Sequence, residues 1–98
     1  MRRSVHYHFQ IEEQLSEITL WYDDQQPGLG DFFLEKFDDA IKYISNFPEA
    51  VQIKRKKYRV AKIDNFPYVI VFESKKLIVE VYSLTHTSRH PNKRFKMK

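Results

Sequence analysis

The sequence predicts an α+β domain in which a helical hairpin packs on one face of a mainly antiparallel four-stranded sheet. Apolar and polar residues alternate near the start of the chain, and apolar residues then recur every three or four positions between about residues 11 and 47. Beyond that point, alternation and short apolar runs return. A chain of 98 residues has room for one hydrophobic core and therefore for one domain. The predicted order of elements is β-α-α-β-β-β.

The first half of the chain predicts one strand followed by two helices. Apolar and polar residues alternate from Ser4 to Ile11, as in a strand with one buried face. The apolar spacing changes to three and four from Ile11 to Tyr22, which indicates an amphipathic helix. A Pro-Gly pair at 27–28 ends this helix, and a second apolar stripe runs from Leu29 to Phe47. Because the connection is short, we expect the two helices to be antiparallel.

The second half of the chain predicts three strands. They span Tyr58 to Ile63, Pro67 to Phe72 and Leu77 to Thr85, with turns between them. The middle one is apolar on both faces, as expected of a central strand. The basic run from Lys54 to Lys57 is interpreted as a solvated turn. The basic segment from Ser88 to Lys98 is interpreted as a short tail.

Composition excludes several classes of protein. The chain has no cysteine, which rules out disulfides and thiolate metal sites. Its first thirty residues do not resemble a signal peptide. No stretch approaches the roughly 20 apolar residues that a membrane-spanning helix needs. We therefore expect a soluble, cytoplasmic protein that requires no membrane and no cofactor.

The net charge of +4 hides a strong asymmetry between the two halves of the chain. Residues 1–49 hold four basic and ten acidic side chains, a net charge of −6. Residues 50–98 hold thirteen basic and three acidic side chains, a net charge of +10. This division indicates that one part of the surface meets a polyanion or an acidic partner. A solvated basic sheet face that keeps the protein soluble explains the same pattern.

Three blocks of sequence occur in the order and spacing of a known protein family. The first spans Trp21 to Phe33 and reads WYDDQQPGLGDFF, and the second spans Phe66 to Phe72 and reads FPYVIVF. The third places His86, Arg89 and Pro91 in a His-x-x-Arg-x-Pro pattern. Together these blocks resemble the RelE/ParE superfamily of toxins from type II toxin–antitoxin systems, especially its ParE-like branch of the plasmid-stabilisation type. The resemblance covers nearly the whole chain.

The resemblance implies a growth-arresting toxin that is neutralised by an antitoxin encoded beside it. ParE-like members of the family inhibit DNA gyrase by binding, and this is the preferred interpretation. One alternative is a RelE-like endoribonuclease that cuts messenger RNA in the ribosome. Another is a non-toxic orphan module that still binds an antitoxin or a nucleic acid. The resemblance leaves the oligomeric state open between a homodimer and a toxin–antitoxin hetero-oligomer.

RNA cleavage would require a base, an acid and cations that stabilise the extra charge on the phosphate. The catalytic candidates for a ribonuclease are Arg59, His86 and Arg89, because imidazole titrates near neutral pH and guanidinium binds phosphate through two hydrogen bonds. We expect Arg59 and the segment 86–89 to lie on one basic surface. The candidates for binding nucleic-acid phosphates are Lys56, Lys57, Lys93 and Arg94.

Each of these assignments has a structural alternative. Arg59 can pair with an acidic residue of the helices, and His86 can hydrogen-bond a neighbouring backbone group. RelE-like ribonucleases rely on a tyrosine in the C-terminal segment, whereas no tyrosine follows Tyr82 here, and this favours the ParE-like interpretation. His6 and His8 share one strand face without a third ligand, so no metal site is expected.

Aromatic residues of the helical hairpin are the candidates for contacts with an antitoxin. In the family, the antitoxin wraps an extended or helical segment around the toxin. Here Trp21 and Tyr22 would form the rim of the groove that receives it, together with Phe33. The alternative is that these rings belong to the hydrophobic core.

Overall fold

A computed structural model describes residues 2–87 of the chain. It confirms the predicted α+β class and the helical hairpin on one face of a sheet. Along the chain, one strand precedes the two helices, and the remaining strands follow them. The elements are β1 (Ser4–Tyr7), α1 (Gln10–Gln25), α2 (Leu29–Asn46), a 3-10 helix (Pro48–Ala50), β2 (Ile53–Arg55), β3 (Tyr58–Lys62), β4 (Tyr68–Ser74) and β5 (Ile78–His86).

The strands form one mixed sheet in the order β1-β5-β4-β3-β2. β1 runs parallel to β5, while the other neighbouring pairs are antiparallel. The segment predicted as the central strand is indeed the central strand, β4, and residues 69–72 within it are all buried. A strand that is covered on both faces has a continuous run of apolar residues, and this run is what predicted the central position of β4.

The described part of the sheet has five strands where the sequence predicts four. The additional strand, β2, overlaps the basic segment Lys54–Lys57 that was interpreted as a turn. Only Lys56 and Lys57 form the turn, and Lys56 adopts a positive φ of 55°. Ile53 pairs with Arg59 across this hairpin. The sequence does not predict this strand because all three of its residues are exposed. A strand without a buried face shows no alternation of apolar and polar residues.

The first strand is shorter than the sequence predicts. It ends at Tyr7, and Phe9 already has helical dihedral angles, φ −57° and ψ −31°, with 87 % of its surface exposed. Ile11 is 2 % exposed and belongs to α1, not to the strand. The spacing between Tyr7 and Ile11 is four residues, which suits a helix as well as a strand. The apolar pattern alone therefore could not place this boundary.

Two glycines shape the connection between the helices. Gly28 takes φ 90°, a left-handed conformation that favours glycine, and precedes the first residue of α2. Gly30 lies against α1, and its N–H donates a hydrogen bond of 2.8 Å to Oδ1 of Asp23. A β-carbon at Gly30 would lie 2.6 Å from the carbonyl oxygen of Thr19. The helices therefore approach each other at a distance that only glycine allows at this position.

The hydrophobic core lies between the hairpin and the sheet. Each large apolar side chain buried there stabilises the fold by about 1.5–3 kcal/mol relative to an exposed one. Neither helix of the described residues is long and apolar enough to cross a membrane. The core residues with no exposed surface are Phe33, Ile44, Ile63, Ile70, Phe72, Val79 and Val81.

Candidate functional site

The predicted ribonuclease residues are not brought together in the described part of the chain. Arg59 lies opposite Phe72 in the β3–β4 ladder, whereas His86 lies opposite Tyr68 in the β4–β5 ladder. These two partners are four positions apart in β4, which corresponds to about 13 Å along the strand. Arg89 lies outside the described residues. Within residues 2–87, Arg59 and His86 thus lie beside opposite ends of β4, and the common basic surface with Arg89 stays a prediction.

Arg59 supports the backbone at the start of β2. Its Nη1 donates a hydrogen bond of 2.5 Å to the carbonyl oxygen of Val51, and the residue is only partly exposed. The sequence offered an acidic residue of the helices as its structural partner, but the structure supplies a backbone carbonyl. Arg59 thereby connects β3 to the segment that follows the 3-10 helix.

His86 ends β5 beside an aromatic ring. The Tyr68 and His86 rings meet edge to face, with centroids 5.1 Å apart and an angle of 80° between their planes. The next residue, Thr87, donates its N–H to the carbonyl oxygen of Pro67 at 2.8 Å. His86 is partly buried at the end of the sheet where the Tyr68 and Phe66 rings also lie.

The predicted phosphate-binding lysines occupy the β2–β3 turn. Lys56 is exposed at the tip of the turn. Lys57 lies 3.6 Å from Oε1 of Glu73 and sits over the ring of Tyr58, 5.8 Å from its centroid. Lys93 and Arg94, the other two candidates, lie outside the described residues. Lys57 is thus partly neutralised by a carboxylate, whereas Lys56 projects to solvent.

The predicted antitoxin-contacting residues divide into exposed and buried ones. Trp21 is 56 % exposed and meets Tyr22 edge to face, with ring centroids 5.1 Å apart. Tyr22 is partly buried and stacks on Phe33 at 5.7 Å. Phe33 has no exposed surface, so it can influence a partner only by supporting Tyr22. A partner of the folded protein can reach Trp21 and part of Tyr22.

Two further rings lie beside these residues, and neither was predicted as an antitoxin contact. Phe66 lies 4.8 Å from Tyr22 between ring centroids, and Phe32, which is 38 % exposed, lies 5.6 Å from Phe66. Phe66 comes from the β3–β4 turn, so no helical spacing could have connected it with the hairpin. Phe66 is only 5 % exposed and supports Tyr22 and Phe32 from the core. We call the accessible rings of Trp21, Tyr22 and Phe32 the hairpin aromatic surface.

The sheet face turned away from the helices carries a network of titratable side chains. Glu80 forms an ion pair with Lys75, 2.5 Å from its Nζ, and the other Glu80 oxygen lies 2.9 Å from Nε2 of His8. The Tyr82 hydroxyl donates a hydrogen bond of 2.6 Å to Glu73. These partners come from the residue that follows β1, from the β4–β5 turn and from two neighbouring strands, so no local sequence pattern indicates the network.

The network fixes the protonation states of its central groups. The hydrogen bonds from Lys75 and then His8 lower the pKa of the Glu80 carboxyl. Burial, and then the hydrogen bond to Glu73, raises the pKa of the Tyr82 hydroxyl far above its usual range. Tyr82 therefore keeps its proton at neutral pH and acts as a hydrogen-bond donor. A protonated phenol held by a carboxylate is unsuited to act as the base that RNA cleavage requires.

Comparison with known proteins identifies the fold. No protein-family model matches the sequence. No curated protein matches it. Among solved structures, a chain described as "Chromosomal ParDE TA system from P. aeruginosa" is similar to this one, with a TM-score of 0.77 and 11 % sequence identity. The match covers 89 % of this chain and 98 % of that chain. The chain therefore has a RelE/ParE-like fold, as the three sequence blocks implied.

Proposed function

We propose that this chain is the toxin of a type II toxin–antitoxin pair and that it arrests growth by binding DNA gyrase, as ParE-like proteins do. The observation that supports the proposal is the similarity of fold, over 89 % of the chain, to a chain from a ParDE toxin–antitoxin system. The three sequence blocks point in the same direction. Its partners would be an antitoxin encoded beside it and the gyrase.

The geometry of the described residues favours binding over RNA cleavage. Arg59 and His86 are offset by about 13 Å along the strand direction and lie on strands separated by β4, and the Arg59 guanidinium is engaged by the carbonyl oxygen of Val51. The Tyr82 hydroxyl donates to Glu73 and stays protonated. A cleavage site would need an acid and a base within hydrogen-bond reach of one phosphate.

Inhibition of gyrase is the first expected result. Purified chain added in increasing amounts to gyrase and relaxed plasmid should abolish supercoiling, because a binding toxin withdraws the enzyme from its catalytic cycle. In cells that express the chain, DNA damage linked to gyrase should accumulate while transcripts stay intact. The control is the same reaction supplemented with the antitoxin encoded beside it, which should restore supercoiling.

Two outcomes would contradict this function. Full supercoiling activity at a large molar excess of folded chain would show that gyrase is not the target. New transcript ends within codons after induction would instead identify a ribonuclease. In that case the loss of those ends in a His86→Ala and Arg89→Ala double variant would support the catalytic assignment made from the sequence.

Antitoxin binding is proposed to use the hairpin aromatic surface, with Trp21 as its anchor. A large exposed ring beside other aromatic rings is the type of residue that dominates binding energy at protein interfaces. Trp21→Ala should therefore weaken binding of the antitoxin roughly 30-fold, a loss of about 2 kcal/mol. Isothermal titration with the purified antitoxin measures this directly.

The matched control for Trp21 is Phe9→Ala. Phe9 is also an exposed aromatic residue, at 87 %, but it precedes the first turn of α1, about 18 Å along the helix from Trp21. Phe9→Ala should leave antitoxin affinity unchanged. Equal losses for both variants would mean that the antitoxin does not recognise the hairpin aromatic surface in particular. In the absence of antitoxin, the Trp21→Ala variant should still inhibit gyrase.

A further inference from the structure

The topology of the sheet brings three separate basic segments to one end of the molecule. β4 ends at Ser74, and this end lies beside the first residues of β3 and β5, since Arg59 pairs with Phe72 and Val79 pairs with Ser74. β1 begins at the same end, where Ser4 pairs with Ile78. We call the residues there the basic end: Arg2, Arg3, Lys54, Arg55, Lys56, Lys57, Lys75 and Lys76.

Part of this charge is neutralised within the protein, and part projects to solvent. Three carboxylates pair with three of the cations: Glu49 with Arg3 at 2.8 Å, Glu73 with Lys57 at 3.6 Å, and Glu80 with Lys75 at 2.5 Å.

The neighbouring lysines are placed differently. Lys54, Lys56 and Lys76 are exposed, and no carboxylate within residues 2–87 forms an ion pair with them. An exposed cation without a protein partner is free to bind an external anion. The basic end is therefore an available positive surface.

The width of the basic end suits a ligand with two rows of anions. Neighbouring strands lie about 4.8 Å apart, so the four intervals from β2 to β1 span about 19 Å. The minor groove of duplex DNA is about 6 Å wide, and the duplex carries one charge for about every 1.7 Å of its axis. The β2–β3 and β4–β5 turns are centred two of these intervals, about 10 Å, apart, so lysine side chains on the two turns can reach phosphates on both sides of one minor groove.

We propose that the basic end binds the phosphate backbone of duplex DNA. The choice of DNA over RNA rests on the proposed function, because gyrase holds duplex DNA and a toxin bound to it lies beside that DNA. These contacts would follow phosphate positions and not base identity, since lysines that approach the backbone read no sequence. DNA would thus add affinity for the gyrase–DNA complex over gyrase alone.

The test is direct binding of a fluorescent 20-base-pair DNA duplex, followed by anisotropy at several salt concentrations without gyrase. We expect binding that weakens steeply with salt, because each lysine–phosphate contact releases counterions. A Lys54→Gln and Lys76→Gln double variant should bind roughly tenfold or more weakly, and its salt dependence should fall by about two counterions. Thermal unfolding of the variant checks that it remains folded.

The matched control removes the same charge at the other end of the sheet. Lys36 and Lys62 line a cavity of about 400 Å³ beside the end of β3, so a Lys36→Gln and Lys62→Gln double variant should bind DNA as the unmodified chain does. Equal weakening by both double variants would refute a localised surface. Tighter binding of duplex RNA, single-stranded DNA or anionic vesicles than of duplex DNA would also refute the proposal.

The two proposals can fail separately. Gyrase inhibition without measurable DNA binding would leave the proposed function in place and reject the basic end as a DNA surface. DNA binding without gyrase inhibition would support the basic end and reject the choice of gyrase as the target.

Discussion

Phe33→Ala should lower the free energy of unfolding by about 3–5 kcal/mol, the range typical of an aromatic residue removed from a core. Phe33 has no exposed surface and lies among three other rings. Its ring centroid is 5.0 Å from that of Phe66, 5.7 Å from that of Tyr22 and 5.7 Å from that of Tyr68. Alanine would leave a cavity that these rings cannot close, because a helix, a turn and a strand hold them in place. Urea unfolding followed by circular dichroism measures the loss.

Phe32→Ala is the matched control, since it removes the same side chain one residue earlier. Phe32 is 38 % exposed and contacts Phe66 from the outside, so about 1 kcal/mol should be lost. Losses of similar size for the two variants would contradict the assignment of Phe33 to the core. Antitoxin affinity should show the reverse order. Phe32→Ala should weaken antitoxin binding more than Phe33→Ala does, because an antitoxin on the hairpin aromatic surface would touch Phe32 directly but not Phe33.

Gly30→Ala is expected to destabilise the protein by about 2–3 kcal/mol, even though alanine favours helices over glycine by about 1 kcal/mol. The new β-carbon would lie 2.6 Å from the carbonyl oxygen of Thr19 and 2.8 Å from Oδ1 of Asp23. The Thr19 oxygen belongs to the backbone of α1 and cannot rotate away, so the helices must separate. This movement also lengthens the hydrogen bond that Gly30 donates to Asp23.

Gly28→Asn provides the comparison for Gly30. Gly28 has φ 90° and no atom within 4 Å of an added β-carbon, so its substitution tests backbone conformation without a steric clash. Asparagine tolerates the left-handed region, and the loss should stay below about 1 kcal/mol. Thermal and urea unfolding of both variants give the two values. A Gly30→Ala protein as stable as the unmodified chain would show that the helices can separate there at little cost.

The elements that the sequence predicted well are those whose apolar pattern has only one interpretation. The stripe from Leu29 to Phe47 has helical spacing over five turns, and the run before Phe72 is apolar on both faces. The structure has a helix at Leu29–Asn46 and a central strand at Tyr68–Ser74. The boundary after Tyr7 was misplaced because residues 7 and 11 fit both periods. β2 was missed because exposed residues leave no apolar pattern.

The candidate site was less accessible to sequence reasoning, because it depends on strand register. The ladders place Arg59 and His86 at opposite ends of β4, and no local pattern encodes that separation. In the same way, Phe66 joins Trp21 and Tyr22 through a turn more than 40 residues away along the chain. Contacts between residues distant in sequence follow from the packing of the hairpin on the sheet.

The sequence by itself determined the class of fold, the helical hairpin closed by Pro27 and Gly28, and the basic character of the second half. These properties depend on local periodicity, backbone restriction and residue type, which each segment carries alone. Only the tertiary structure decided that Phe33 is inaccessible and that Glu80 meets both His8 and Lys75. It also decided that basic segments from three parts of the chain meet at one end of the sheet. The physical reason is that strand order and register, set by burial of the whole core, determine which distant side chains become neighbours.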